Sequence, residues 1–299
     1  MNLWRQYIRP DSISAALQAL TTPPGPALPI AGGTDLLLDL QQGRHSPIYT
    51  LVDLTTVPEM NILELRGDQL FIGAAMPLNK IARDPLTMRH AQALVEACDL
   101  VGGPQVRNVA TLGGNVAHAL PAADGTIALL ALDAEAEIAG HSKIRRVHFR
   151  DLFLGPGKSV IKHGEELLVG FHLPADKDLQ VASAFKRIMR PQGVALPIIN
   201  LAIWLKREMD QFEDIRIAVG PGSATPFRAT AAEDALRGYD FSANAFDTAL
   251  EALLGQVNFR SSARRASADY RRHLVRALFK ETLEAAWTRA DKVNQVGDD

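Results

Sequence analysis

A single cysteine, Cys98, occurs in the 299 residues of the chain. One thiol excludes an intrachain disulfide, a cysteine-ligated zinc and an iron–sulfur cluster. The stretch Ala91-Gln92-Ala93-Leu94-Val95-Glu96-Ala97-Cys98 reads as a helix, so a buried structural thiol is the expected role. A basic excess is missing too. Lys and Arg number 32 against 34 Asp and Glu, a formal net charge of −2. That argues against a general nucleic-acid binder. No apolar run reaches the ~20 residues of a membrane span. Residues 1–7 lack the charged and apolar regions of a signal peptide, and the cytoplasm is the expected compartment. With 47% apolar and 22% charged residues, the composition is that of a soluble globular protein with room for two domains.

Several familiar signatures are absent as well. Gly155-Pro156-Gly157-Lys158-Ser159 ends like a P-loop, but Leu152 stands where the pattern needs its first glycine, and Pro156 removes a backbone donor. There is no G-x-G-x-x-G after a strand and no G-x-S-x-G elbow. His118, His141, His148, His163 and His172 are scattered without ligand spacing and are expected on the surface or as satisfied core residues. No internal repeat or low-complexity stretch is present.

What the chain does have is alternating helical and strand signals. Residues 13–20 form a helical stretch with Ala16, Leu17 and Leu20 on one face and Asp11 or Ser12 as cap. Residues 27–31 read as a strand, 35–40 as a helix start and 50–54 as a second strand. Gly67-Asp68 marks a hairpin between 62–66 and 69–74. Helices are expected over 89–101 and 126–132, and strands over 133–138 and 167–173. The polar run 174–178 is the expected domain boundary. Beyond it, 181–187, 198–206 and 214–219 read as three strands of one antiparallel sheet. Helices follow over 231–238, 243–255 and 267–287. Arg264, Arg265, Arg271, Arg272 and Arg276 are expected to form a solvated or interface face rather than a nucleic-acid site.

Two glycine-centred segments carry the chemistry: Ala31-Gly32-Gly33-Thr34-Asp35 and Ala110-Thr111-Leu112-Gly113-Gly114-Asn115. Glycine permits positive φ and leaves no Cβ in a ligand's way. Consecutive N–H groups in such turns form a concave nest for anions. Two nests can grip a pyrophosphate from two sides without a lysine. Either segment alone would pass for a tight turn of small residues. The pair, with a glycine-rich and polar run over 101–115, reads as a loop whose buried backbone groups a cofactor could satisfy. Thr111 can donate its hydroxyl to a phosphate, and Asn115 can read an amide-like edge. Asp124 suits ribose hydroxyls or an adenine amine.

In order along the chain stand Tyr7-Ile8-Arg9-Pro10, Ala31-Gly32-Gly33-Thr34-Asp35-Leu36, Gln105-Val106-Arg107-Asn108-Val109-Ala110-Thr111-Leu112-Gly113-Gly114-Asn115, Phe153-Leu154-Gly155-Pro156-Gly157-Lys158 and Phe185-Lys186-Arg187. Then come Gly220-Pro221, Pro226-Phe227-Arg228, Glu233, Leu236-Arg237-Gly238 and the run 261–274. By this ordered series the chain resembles the FAD-binding medium subunit of the molybdenum hydroxylases: xanthine dehydrogenase, carbon monoxide dehydrogenase flavoprotein and their relatives.

The resemblance implies an α+β fold. A two-part FAD-binding domain of the vanillyl-alcohol-oxidase-like type would span 1–175, with subdomains of about 1–55 and 56–175. A C-terminal domain with a three-stranded antiparallel sheet and helices would span 176–290, and 291–299 would be a tail. It implies noncovalent FAD. Pro29, Ile30, Ala31, Gly32, Gly33, Thr34, Asp35 and Leu36 would wrap the pyrophosphate and ribityl region. Thr111, Leu112, Gly113, Gly114 and Asn115 would supply the second nest, and Asp124 would sit toward the adenosine half. Val101 and Leu168 would make apolar contacts. Lys186 would approach the flavin, where its charge favours an anionic reduced form. No other catalytic residue and no metal ligand is implied.

The implied partners are a molybdopterin-binding large subunit and a small subunit with two [2Fe–2S] clusters, in a doubled heterotrimer. NAD, O2 or a quinone would be the external acceptor. Some relatives carry an iron–sulfur cluster in this subunit, which Cys98 alone excludes here. Two alternatives share the Gly-Gly turn. One is a stand-alone flavoenzyme resembling UDP-N-acetylenolpyruvoylglucosamine reductase, against which stand Lys186 in its Phe-Lys-Arg setting and the C-terminal run. The other is a non-catalytic flavin-binding scaffold.

Overall fold

The computed structural model describes residues 3–22, 24–175, 178, 180–190, 196–263 and 265–292, the last two of these by backbone alone. The chain opens with β1 (Trp4–Ile8), α1 (Ile13–Thr21), β2 (Ala27–Ile30), α2 (Leu36–Gln41) and β3 (Ile48–Asp53). The strands form a parallel sheet in the order β1-β3-β2. Ser12 caps α1 by accepting from the Ala15 N–H at 3.2 Å, and Ala16, Leu17 and Leu20 are buried. β1 has no counterpart among the expected strands, because four of its five residues are exposed and leave no alternating apolar face. Ile30 pairs with Asp53, so β2 ends beside β3 and releases the chain into the first glycine turn at the carboxyl edge of the sheet. Parallel sheets bind ligands at that edge.

A second layer follows. The hairpin β4 (Leu63–Arg66) and β5 (Gln69–Gly73) turns at Gly67, whose φ is +67°. Then come α3 (Leu78–Ile81), α4 (Pro85–His90), α5 (Gln92–Leu100), α6 (Pro104–Arg107), α7 (Leu112–Ala117) and α8 (Asp124–Ala131). Next are β6 (Glu135–Gly140), β7 (Ile144–His148), β8 (Phe153–Gly155), β9 (Lys158–Ser159) and β10 (Glu166–Pro174). Strands β4-β5-β10-β6-β7 make a five-stranded antiparallel sheet. The single helix expected over 89–101 is broken at Ala91, whose φ and ψ are −144° and 49°. The P-loop-like run is the β8–β9 hairpin, with Gly157 at φ +71°. Every residue of α8 is buried, which its apolar run over 127–131 anticipates. Cys98 is buried without a partner sulfur, and burial pushes its thiol up, as befits a packing residue.

On the other face of the five-stranded sheet, His172 is 1% exposed and its Nε2 lies 2.7 Å from the Glu137 carboxylate. Burial pushes the imidazole below its ordinary value of 6.5, against the pull of Glu137. A histidine whose folded value is depressed stays neutral while the unfolded chain takes up a proton. Stability should therefore fall as pH drops through 6.5. We expect melting temperature to decline between about pH 7 and pH 5, and His172→Gln to flatten that decline. Thermal melts at the two pH values check this, and an unchanged slope in the variant contradicts it.

The C-terminal part comprises β11 (Val181–Met189), β12 (Pro197–Glu208), β13 (Gln211–Gly220), β14 (Phe227–Arg228), α9 (Thr230–Leu236), α10 (Ala243–Gln256) and α11 (Ala268–Lys292). The sheet has four strands in order, one more than expected, because Phe227 and Arg228 pair with Val219 and Ala218. Its two faces serve two cores. Ala182, Ala184, Ile203 and Ile217 pack against Leu253, Val275 and Phe279 of the helices. Phe185, Ala202, Trp204 and Ala218 join the core of the N-terminal part. Burial on both faces explains the near-continuous apolar run of β12.

Arg271 departs from the solvated face expected of it. It is buried and donates to the carbonyls of Ile198, at 2.9 Å, and Arg260. Residues 176 and 177 of the expected boundary, Arg264 and residues 293–299 of the expected tail lie outside the described residues. Among the described residues no helix is long and apolar enough to cross a membrane, and no group of three His, Cys, Asp or Glu is placed to hold a metal.

Candidate functional site

The two glycine segments, far apart in sequence, touch. A Cβ at Gly32 would lie 2.2 Å from the Val109 carbonyl oxygen and 2.7 Å from the Ala110 Cα. Only a residue without a side chain lets the two backbones approach this closely. Gly33 follows at φ +67°, flanked by Ile30 and Leu37. The N–H groups of Gly32, Gly33, Thr34, Asp35 and Leu36 donate to no group among the described residues. The Gly33 carbonyl accepts from Leu37 at 3.0 Å and that of Asp35 from Asp39 at 2.9 Å, so α2 begins here. The turn is thus a run of undirected donors at the positive end of a helix, a setting for anionic oxygens. Pro29 and Ile30 bring β2 to it. Asp35 is exposed and makes no capping bond.

The second segment is built differently from the open nest expected of it. The Leu112 N–H donates to Met76 O at 3.2 Å, and that of Gly113 to Ala74 O at 2.8 Å. Gly114 donates to Thr111 Oγ1 at 3.1 Å and Asn115 to Thr111 O at 3.0 Å. These amides are satisfied because Thr111 is the N-cap of α7 and the chain docks against the exit of β5. The two glycines have separate reasons. A Cβ on Gly113 would sit 2.5 Å from Ala74 O, so Gly113 is there for packing. Gly114 is exposed, and its Cβ would meet only Thr111 Oγ1 at 3.2 Å. The Asn115 Oδ1 is buried and has no hydrogen-bond partner among the described residues, as is also true of the Thr126 Oγ1 and the Asn200 Oδ1. A buried acceptor of this kind calls for a donor.

Asp124 does not present a free carboxylate. It is 4% exposed. Arg187 donates to its Oδ2, and Asn200 to its Oδ1 at 2.6 Å. Burial pushes the carboxyl up while Arg187 and Asn200 hold it down. Val101 is half-buried just beyond α5, and Arg107 closes its loop by donating to Val101 O at 3.3 Å and Gly102 O at 3.0 Å. Leu168 lies in the core on β10, opposite Ile138. Lys186 is half-buried on β11 and lines a groove of about 480 Å³ with Glu96, Asp99, Leu100 and Glu281. No described contact joins Lys186 to either glycine segment. Strand alternation points Arg187, and not Lys186, at Asp124.

Arg187, Asn200 and Arg107 had no expected role. Asn200 carries one signal: it is a polar residue inside the long apolar run of β12, which needs a buried partner, whereas Arg187 stands with Lys186 and Ser183 in a mixed strand and carries none. The partner itself comes from 63 residues away in the case of Arg187 and Asp124.

Five donors with no partner among the described residues at a glycine turn, the close approach of Val109 and Ala110, and the Asn115 acceptor fit a pyrophosphate-bearing cofactor with amide-like ring edges. The comparisons agree. Residues 3–176 match the family model described as FAD binding domain in molybdopterin dehydrogenase, and 183–286 that of the CO dehydrogenase flavoprotein C-terminal domain. Fold and site therefore define an FAD-binding flavoprotein chain of α+β class.

Among relatives, the xanthine dehydrogenase FAD-binding subunit of Escherichia coli O157:H7 is 33% identical, covering 94% of this chain and 95% of its own. The nicotine 6-hydroxylase medium subunit of Paenarthrobacter nicotinovorans is 30% identical over 95% of this chain and 98% of its own. Carbon monoxide dehydrogenase from Hydrogenophaga pseudoflava superposes with a TM-score of 0.89 at 28% identity, covering 95% of this chain and 98% of that one. The chain belongs to the family of FAD-binding medium subunits of the molybdenum hydroxylases, which are oxidoreductases.

Proposed function

We propose that the chain holds one noncovalent FAD between the 31–36 turn and the 109–115 segment, as the electron-output subunit of a multi-subunit molybdenum hydroxylase. The unpaired N–H groups of Gly32 to Leu36 carry this reading. They and Pro29, Ile30 and Ala31 would hold the pyrophosphate and ribityl region. Thr111, Leu112, Gly113 and Gly114 would form the opposite wall, and the Asn115 Oδ1 would accept from the cofactor. Val101 and Leu168 would shield it. Asp124 would border the adenosine half through its place in the wall, its carboxylate being paired. Lys186 would bring a positive charge toward the ring system. FAD, when bound, supplies the exchange of electrons between one-electron clusters and an acceptor that takes one or two.

A division into FAD-binding residues 1–175 and a C-terminal domain of 176–290 belongs to this reading, as does a cytoplasmic location. So do a molybdopterin-binding large subunit and a [2Fe–2S] small subunit as partners, and NAD, O2 or a quinone as acceptor. Relatives named as the medium subunit of a hydroxylase and the medium chain of a dehydrogenase support the partnership. The purified chain should bind FAD at one per chain and release it on acid precipitation, with no iron or molybdenum retained. Flavin absorbance against protein concentration, with metal analysis, checks both. A folded chain that FAD does not saturate overturns the reading.

A further inference from the structure

The segment 101–123 carries α6, α7 and the whole second glycine segment. Its two ends meet at one guanidinium. Leu100 closes α5 immediately before it, and Asp124 opens α8 immediately after it. Arg187 of β11 donates to the Leu100 carbonyl through one terminal nitrogen and to the Asp124 carboxylate through the other. Asn200 of β12 adds bonds to Ala122 O at 3.0 Å and Asp124 Oδ1 at 2.6 Å. The side chains of Arg187 and Asp124 are 4% and 5% exposed. Arg187 is therefore buried against both ends of the segment.

We propose that Arg187 is a positioning residue that staples both ends of the 101–123 segment and so makes FAD retention depend on the C-terminal sheet. The inference rests on the FAD reading above. The physical reason is preorganisation. A segment pinned at both ends loses less freedom when the cofactor orders it, and that difference appears as affinity. The planar fork of arginine reaches two acceptors at once, which a lysine ammonium on a thinner stem does not reproduce. Removing the guanidinium also leaves the Asp124 charge buried with Asn200 alone.

The molecule contains its own control. Arg289 of α11 also joins the two parts, donating to Glu96 at 2.6 Å and to Ser183 O. It touches neither end of the 101–123 segment. The test is FAD titration and release from the full-length chain, followed by flavin fluorescence, beside melting temperature of the cofactor-free protein. R187M should raise Kd about tenfold or more, through faster release. R187K should fall between R187M and the parent. R289M should lower melting temperature yet leave Kd within about twofold.

Hydrogen exchange in 101–123 should speed up in R187M and not in R289M. If R187M does not fold, R187K and N200A carry the same test. Unchanged Kd in the folded Arg187 variants overturns the proposal, and so does an equal loss of FAD in R289M. A parent chain that binds no FAD overturns instead the functional reading beneath it.

Discussion

Gly32→Val is expected to yield a chain that no longer retains FAD and melts several degrees lower. The two effects have one cause. The Cβ position lies 2.2 Å from the Val109 carbonyl oxygen and 2.7 Å from both the Val109 carbonyl carbon and the Ala110 Cα. All three are backbone atoms, so no side chain can swing away. The segments must part, at a cost of about 1–3 kcal/mol for overpacking. In a chain of this size that is a loss of roughly 2–10 °C. Separation also widens the site the two segments enclose, and FAD affinity should fall about 100-fold or more.

Gly114→Val is the informative companion. Gly114 is exposed and has only Thr111 Oγ1 within reach, so the fold has room for the new side chain. It should melt close to the parent and still lose FAD, because its side chain projects where the cofactor is placed. Absorbance at the flavin bands and thermal melts of both variants decide. Retention of FAD by Gly114→Val at parental affinity would place the cofactor away from α7.

The second large effect is all-or-none. Hydroxylation substrates should not reduce the flavin on this chain by itself, and should do so once the two partner subunits are added. The described residues hold no metal-binding cluster, and Cys98 is buried and alone. In the proposed assembly the electrons come from another chain, across an interface close to the flavin. A fixed redox assembly favours a large, well-packed interface. We expect co-purification as a heterotrimer, doubled in the full assembly. In the reconstituted complex, stopped-flow spectra should show the iron–sulfur centres reduced before the flavin. Substrate-dependent bleaching of the flavin by this chain with no partner present would instead mark a self-contained flavoenzyme.

Local signals were legible wherever the physics is local. Ser12 as a cap, the Gly67 turn, the apolar α8 and the two long helices α10 and α11 each follow from a few neighbouring residues. The first glycine turn is of this kind too, since positive φ at Gly33 and the start of α2 are set within about six residues. β1 was not legible, because a mostly exposed strand has no alternating apolar face and owes its place to β3. β14 was not either, being two residues long and defined only by its pairing with β13.

By itself, the amino-acid sequence determined the single cysteine, the two glycine segments, the order of motifs that resembles the family, and most elements. Those properties depend on which residues are present and on their near neighbours. Only the tertiary structure decided that Gly32 meets Val109, that the amides of 112–115 are spent on Ala74, Met76 and Thr111, and that Asp124 belongs to Arg187 and Asn200. A carboxylate or an N–H group reads the same in sequence whether it is free for a ligand or already paired. Its availability is settled by what the fold brings within hydrogen-bonding distance, and those partners come from other parts of the chain.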